Sequence, residues 1–490
     1  MTSSSDKPSA RLVGAEQEHR LIFPPEYNRK KVFVLDSNVL MLFEGSLFGF
    51  ADNIAIVPLI VTQEIDHIKN GNSVNSDKKY AARSAVRDIL SLRNFGSLEA
   101  GVTLPNGGVI YVVRNGYDWD DLPEGLDRSN DNMIILTALS LQKNNPDMEV
   151  ILISHDANVC ITADTLGVRA EEYKGGRAFQ SLDEMYTGRA NLILSKDFDV
   201  QDFFTQQDRP SIILTEDDFE GTSVLDSLTV NQCCFISSAE MGEYITPMVY
   251  KGDGEFVFVH REKWPSGKKY KHIVPRNDEQ ALALHLLMDP SIDIVSIDGD
   301  AGSGKTLVAL LGALEQYVKY PGVKVYRAAI EADETLGFAP GTREEKFAPW
   351  TLPITDQLSV ILGERFPASD DDSHSKGWMD PVHEFTEKGI VTIEPPNHIR
   401  GRTLSNVFIV IDEAQNLTKG MMKMVITRLG NNAKIVVVGD RGQIDRKGLD
   451  AMSNGHAHLV AAFRGQDNFG HITLFETVRS HVAAQGAQLL

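Results

Sequence analysis

Gly299-Asp300-Ala301-Gly302-Ser303-Gly304-Lys305-Thr306 is the stretch on which the reading of this chain turns. The apolar run Ile294–Ile297 precedes it and Leu307-Val308-Ala309-Leu310 follows. That context predicts a strand, a glycine-rich loop and the start of a helix, the setting a phosphate loop requires. The glycines let backbone N–H groups close around phosphates, and the helix N-terminus adds a favourable dipole. In such a loop Lys305 reaches the β- and γ-phosphates of ATP and the Thr306 hydroxyl coordinates Mg²⁺.

Downstream, Val407-Phe408-Ile409-Val410-Ile411 reads as a buried strand ending in Asp412-Glu413-Ala414-Gln415. An acid at the C-terminal end of a parallel strand lies beside the ligand crevice of such sheets. Asp412 is expected to hold Mg²⁺ through water, and Glu413 to orient and deprotonate the attacking water. Two carboxylates point to hydrolysis rather than to nucleotide binding alone. Ile435–Val438 is a further strand, leading into Gly439-Asp440-Arg441-Gly442-Gln443, which places Gln443 where it can sense the γ-phosphate. Val323–Tyr326, Ile390–Ile393 and Ile472–Phe475 complete a strand set that predicts an α/β domain over 273–486. The polar run 369–377 inside it reads as a surface loop.

The N-terminal part, 29–175, alternates in the same way. Val32–Leu35, Ile54–Val57 and Val150–Ile153 are strand-like, and Leu59–Lys69, Lys79–Arg93 and Asn132–Gln142 are helix-like. Strand–helix alternation indicates a parallel sheet. Asp36 directly follows the first strand, Glu64 lies on the helix after the second, Asp131 opens a helix and Asp156 follows the last strand. Acids at these places converge on one crevice. Gathered carboxylates repel one another unless a hard cation neutralises them, and Mg²⁺ or Mn²⁺ prefers such oxygen ligands. The chemistry that follows is hydrolysis of a phosphodiester. For each acid taken singly, helix capping or a solvated surface position is the plain alternative, most of all for Asp131 behind Ser129 and Asn130. Asn38 serves either to position a metal-bound water or as a turn residue.

Between these parts, 176–272 carries short β-like pieces, Asn191–Leu194, Ser211–Leu214 and Glu255–Val259, among Gly, Asp and Ser clusters. It reads as a small β-rich connector. Residues 1–28 read as a disordered tail. The composition of the 490 residues, 42% hydrophobic and 24% charged, is that of a soluble globular protein with room for two or three cores. No apolar run approaches the roughly 20 residues of a membrane span, Met1 to Arg20 has no apolar stretch and does not read as a secretory signal, and three cysteines form neither a disulfide framework nor a zinc pattern. A cytoplasmic location is expected. The net charge of −20 argues against broad, static duplex binding and leaves room for a narrow channel. Lys78, Lys79, Arg83, Arg87 and Arg93 fit a solvated basic face or a phosphate track. Trp264 with Lys268, Lys269 and Lys271 offers a second possible RNA contact.

Pro275-Arg276-Asn277-Asp278-Glu279-Gln280, the phosphate loop, Leu336-Gly337-Phe338, Ile399-Arg400-Gly401-Arg402-Thr403, Asp412–Gln415, Gly439–Asp445 and Val478-Arg479-Ser480 stand in the order seen in PhoH-like ATPases, which this part of the chain resembles. The resemblance implies a RecA-type core like that of superfamily 1 helicases, Mg²⁺–ATP as cofactor, a hexameric ring, and an adenine-reading role for Gln280. It also implies an arginine finger across a subunit interface, for which Arg402, Arg400 and Arg479 are candidates. Arg327-Ala328-Ala329 departs from the Arg-Pro-Ala often found there. The acids Asp36, Glu64, Asp131 and Asp156, with Asp164 further on, resemble those of a PIN domain, a fold used by many ribonucleases that cut single strands. A PIN domain followed by a PhoH-like ATPase is itself a known arrangement. Together these resemblances imply an ATP-dependent RNA helicase or remodelling ATPase coupled to a metal-dependent endoribonuclease acting on single-stranded or partly structured RNA. An ATP-gated ribonuclease without unwinding and a non-enzymatic ATP-responsive RNA platform are the alternatives.

Overall fold

The computed structural model describes residues 11–13, 20–27, 29–42, 45–71, 76–114, 117–173, 176–179, 181–206, 208–264, 269–270, 272–328, 343–363, 381–446 and 449–478. These fall into two compact units, Met1–Arg177 and Ala178–Leu490.

In the first unit β1 (Arg11–Val13) and β2 (Arg20–Ile22) form an antiparallel pair. A second, six-stranded sheet is built from β3 (Val32–Leu35), β4 (Ile54–Pro58), β5 (Val102–Thr103), β6 (Val109–Val113), β7 (Val150–Ser154) and β8 (Arg169–Glu172). Its order is β5-β6-β4-β3-β7-β8, parallel except at the β5 edge. Helices α1 (Ser37–Leu40), α2 (Leu59–Asn70), α3 (Ser76–Leu92), α4 (Asn130–Asn144) and α5 (Ala157–Thr165) complete the unit. The central strands are β-branched runs buried along their whole length, as strands covered on both faces must be. β6, Val109-Ile110-Tyr111-Val112-Val113, extends this sheet where the sequence reading placed no strand.

The expectation of a disordered tail over 1–28 is corrected for 20–27. Leu21 and Phe23 are buried in the first unit's core. Asn145 fixes the segment by accepting from Phe23 N at 2.9 Å and donating to Leu21 O at 3.0 Å. Burial of these two large apolar side chains, about 1.5–3 kcal/mol each, offsets part of the cost of ordering the segment.

The second unit holds two sheets. The first is the β-rich connector, with β9 (Arg189–Leu194), β10 (Ser211–Ile213), β11 (Cys233–Ser238), β12 (Glu243–Gly252) and β13 (Glu255–Phe258), and the helix α6 (Val200–Gln206). Its order is β10-β13-β12-β11-β9, antiparallel except for the parallel pair of β9 with β11. The second sheet contains β14 (Ile294–Gly299), β15 (Val323–Arg327), β16 (Val391–Glu394), β17 (Val407–Asp412), β18 (Ala433–Val438) and β19 (Phe469–Leu474), all parallel in the order β16-β15-β17-β18-β14-β19. Around it lie α7 (Asp278–Met288), α8 (Lys305–Glu315), α9 (Arg343–Leu362), α10 (Pro381–Glu387), α11 (Lys419–Ile426) and α12 (Gly455–Phe463). β15, β17, β18 and β14 are neighbours running in one direction, so their C-terminal ends open on one crevice.

The connector is tied to this sheet by polar as well as apolar contacts. Asn231 Nδ2 donates to Asp467 O and Phe469 O at 2.8 and 2.9 Å, and Lys251 pairs with Asp289 Oδ2 at 2.5 Å. At the entry to β9, Gly188 has φ +72°, and a Cβ there would lie 1.8 Å from His471 O. Gly188→Ala combines a disfavoured backbone with a clash against main chain that cannot rotate away. We expect it to cost about 2–4 kcal/mol. Denaturant titration checks this, and a loss below about 0.5 kcal/mol, the ordinary surface range, would contradict the contact.

Candidate functional site

The nucleotide crevice is assembled from four strand ends. Gly299 ends β14 and opens the phosphate loop, and Lys305 begins α8. Lys305 Nζ donates to Gly299 O at 2.5 Å and Asp300 O at 2.7 Å, and lies 3.4 Å from Asp440 Oδ2. The ammonium is thus held inside the loop it is expected to serve. Asp440, just past β18, is raised above the usual carboxylate range by burial, which Lys305 opposes. Thr306 Oγ1 donates to Asp412 Oδ1 at 2.9 Å, bringing together the hydroxyl and carboxylate expected to share Mg²⁺. Asp412 is almost wholly buried. Burial pushes its pKa up, and the Arg327 guanidinium is the strongest influence pulling it down.

Glu413 follows at φ +57°, a left-handed conformation that a non-glycine residue adopts only when held there. Gln415 holds one side of it: Nε2 donates to Glu413 Oε2 at 2.6 Å and to Gln443 O at 2.9 Å, while Oε1 accepts from Asp440 N at 2.9 Å. Gln415 therefore joins the second and third motifs, and Gln443 itself is exposed at the crevice edge.

Gln280 is buried at the first turn of α7, capped by Asn277. Its Nε2 donates to Ser303 O at 2.8 Å and its Oε1 accepts from Arg276 N at 2.9 Å. Gly304, at φ +87°, leaves room for this contact, since a Cβ there would lie 2.7 Å from Gln280 Nε2. Val478 N donates to Gly302 O at 3.0 Å, so the stretch after β19 also rests on the loop. Both ends of the Gln280 amide are thus occupied by protein in this structure. Of the candidate arginines, Arg402 is exposed and pairs with Glu394 at 3.2 Å, Arg400 is exposed, and Arg479 lies outside the described residues, as does Leu336-Gly337-Phe338.

In the other unit Asp36, Glu64, Asp131 and Asp156 all line one cavity of about 650 Å³, with Ser37, Asn38, His67 and Asn130. Asp36 follows β3, Glu64 is on α2, Asp131 is in the first turn of α4, and Asp156 caps α5 by accepting from Asn158 N at 2.8 Å. Ser129, not Asp131, makes the α4 cap, accepting from Asn132 N at 3.2 Å. Asp131 is therefore not the α4 cap, but it is exposed, as is Asp156, and Asp36 and Asp156 cap α1 and α5. Asp36 accepts from Ser37 N and, at 2.6 Å, from Ser154 Oγ. Burial raises its pKa, those hydrogen bonds oppose the rise, and Asp131 and Glu64 reinforce it. Asp131 is raised by burial and then by Asp156.

Ser154, which the sequence reading passed over, also accepts from Asp156 N at 3.0 Å and so fixes two of the acids relative to each other. A small hydroxyl residue at a strand's last position, two before an acid, was the available signal. Asp164 accepts from Ala170 N at 3.3 Å and does not line the cavity.

Among the described residues no three His, Cys, Asp or Glu side chains are close enough together to grip one ion as they stand. The expected ligand set is therefore a shared cavity rather than a closed coordination shell. Asp36 and Asp156 are each held by their own hydrogen bonds. The chemistry of the wall nevertheless suits a hard cation. It is rich in oxygen, and Asn38 Oδ1 is buried there without a hydrogen-bond partner. Trp264, considered as an RNA contact, donates from Nε1 to Ile273 O at 3.2 Å and packs against the core. Lys268 and Lys271 lie outside the described residues.

Comparison with known proteins agrees with this division. The family model described as PhoH-like protein matches residues 272–489, and that of the PIN domain matches residues 33–174. Protein PhoH2 of Bacillus subtilis is 31% identical over 476 residues, covering 94% of this chain and 100% of that protein. Protein PhoH2 of Thermobispora bispora is 31% identical over 471 residues, covering 94% and 96%. Among solved structures, the crystal structure of Pif1 helicase from Candida albicans covers 44% of this chain and 43% of its own at 16% identity and a TM-score of 0.24, too loose a match to inform mechanism.

Proposed function

The chain belongs to the family of PhoH-like proteins that carry an N-terminal PIN domain, and from that premise we propose that it hydrolyses ATP to remodel RNA which its PIN domain cuts. The observation that carries the reading is the presence, in one chain, of a triphosphate cradle with paired carboxylates and a separate cavity faced by four acids.

At the cradle, Lys305 leaves its loop carbonyls for the β- and γ-phosphates, and loop N–H groups hold the rest of the triphosphate. Thr306 and Asp412 would hold Mg²⁺, which would supply neutralisation of phosphate charge. Glu413 orients the attacking water and takes its proton, while Gln443 senses the γ-phosphate. Gln280 releases its protein partners to read the adenine. At the cavity, Mg²⁺ or Mn²⁺ held by Asp36, Glu64, Asp131 and Asp156 would supply an activated water for in-line attack on an RNA phosphodiester. Asn38 would orient that water, and Ser154 keeps Asp36 and Asp156 in place. The subunits form a hexameric ring, with Arg400, Arg402 or Arg479 reaching a neighbour's nucleotide. No helix among the described residues is long and apolar enough to cross a membrane, and we place the protein in the cytoplasm.

A reading in which ATP gates the ribonuclease without unwinding draws support from the net charge of −20, which disfavours a broad duplex-binding face. The test of the main proposal uses single-stranded labelled RNA. Lys305→Ala should lose ATP hydrolysis and keep Mg²⁺- or Mn²⁺-dependent cleavage, and Asp36→Asn should do the reverse. If each variant matched the parent in both assays, the assignments would be wrong.

A further inference from the structure

Arg327, whose neighbourhood departs from the family's usual Arg-Pro-Ala, ends β15 directly opposite Asp412 on β17. Its side chain is largely buried. Nη1 donates to Asp412 Oδ2 at 2.6 Å, and Nη2 to Glu413 Oε1 at 3.1 Å. The next residue reinforces the alignment, with Ala328 N donating to Asp412 O at 2.9 Å.

The pattern is complete on all four carboxylate oxygens. Asp412 gives Oδ1 to Thr306 and Oδ2 to Arg327, while Glu413 gives Oε1 to Arg327 and Oε2 to Gln415. One planar guanidinium thus spans the carboxylate on the metal side and the carboxylate on the water side. Glu413 also needs restraint, because its left-handed backbone persists only where the surroundings over-determine it.

We infer that Arg327 is a positioning residue for ATP hydrolysis, setting the separation and angle between Asp412 and Glu413 rather than binding nucleotide. This rests on the hydrolysis reading given above. The fixed fork of two nitrogens is what the role requires. A lysine ammonium offers a single point of charge and cannot hold both carboxylates in one geometry.

The experiment compares Arg327→Ala and Arg327→Lys with the parent. It reads kcat, KM, the equilibrium affinity for a fluorescent, non-hydrolysed ATP analogue, and thermal melting. Both variants should lose about 10- to 100-fold in kcat, the range seen when partners that orient a metal site are removed. Analogue affinity should stay within about threefold, as expected when only transition-state geometry is lost. Free guanidinium should restore part of the rate of Arg327→Ala and none of that of Lys305→Ala.

Parent kcat in Arg327→Ala, full activity in Arg327→Lys, or a loss of analogue affinity equal to the loss of kcat would each overturn the inference. Should Arg327→Ala fail to fold, Arg327→Lys, which keeps the charge, decides on the same measurements. A parent that bound the analogue without hydrolysing ATP would overturn the hydrolysis reading and this inference with it. An active parent with an unaffected variant overturns this inference alone.

Discussion

Replacing Glu413 by Gln is expected to leave ATP bound with about the parent's affinity and to slow its hydrolysis by about 10²- to 10⁴-fold, the contribution of a positioned general base. The substitution keeps the side-chain length and the left-handed backbone, and its amide oxygen still accepts from Gln415, while its NH2 replaces the oxygen that accepts from Arg327. It removes the capacity to take a proton from water together with that one hydrogen bond. Lys305 and Thr306, to which the proposal assigns the phosphates and Mg²⁺, are untouched, so binding and chemistry should separate. Steady-state hydrolysis and equilibrium titration with labelled nucleotide check this. Equal losses in both would place Glu413 in binding rather than in proton transfer.

Replacing Asp36 by Asn is expected to reduce metal-dependent RNA cleavage by at least about 10²-fold, the lower end for loss of a positioned catalytic group, while making the metal-free protein more stable at neutral pH. Burial and the neighbouring acids raise the Asp36 pKa above its unfolded value. The folded protein therefore holds this proton to higher pH than the unfolded chain does. Between the unfolded and the raised folded pKa, stability falls as pH rises, and at neutral pH the ionised group is a cost. Asn removes the charge and still accepts from Ser37 N and bonds Ser154. A gain in stability follows, read as a higher melting temperature for the variant than for the parent in chelator.

Added Mg²⁺ or Mn²⁺ should reverse the order. Saturating metal at about 100 times its dissociation constant stabilises the parent by about 2.7 kcal/mol, and the variant by much less. Melting curves with chelator and with metal test both halves. An Asn variant less stable than the parent in chelator would show that Asp36 is an ordinary structural acid.

Much of this was legible in the sequence because the features are local. The phosphate loop carries its own signature, and β14 before it and α8 after it are short-range patterns. Asp36 and Asp156 were legible because they follow parallel strands, whose ends open to one side, and Glu64 and Asp131 because they lie on adjoining helices; all four line a common cavity. What escaped depends on contacts between distant residues. Arg327 and Asp412 are 85 positions apart, and only the β15–β17 pairing brings them opposite. Ser154 joins Asp36 across 118 positions. Gln415 was visible as part of a motif, but its link to Asp440 requires the adjacent placement of β17 and β18. The burial of Leu21 and Phe23 was hidden because a three-residue strand shows no periodicity. β6 is different: its run of apolar, mostly β-branched residues carried a readable strand signal.

The central claim, that ATP hydrolysis opens RNA for the acidic cavity to cut, is tested most directly by one cleavage gel. The substrates are a labelled single strand and the same strand paired into a tailed duplex, each with Mg²⁺ and with or without ATP. The account predicts that the parent cuts the single strand in either case and the paired region of the duplex only with ATP, and that Lys305→Ala cuts unpaired RNA alone. A Lys305→Ala protein that cut the duplex as fast as the parent with ATP would contradict it.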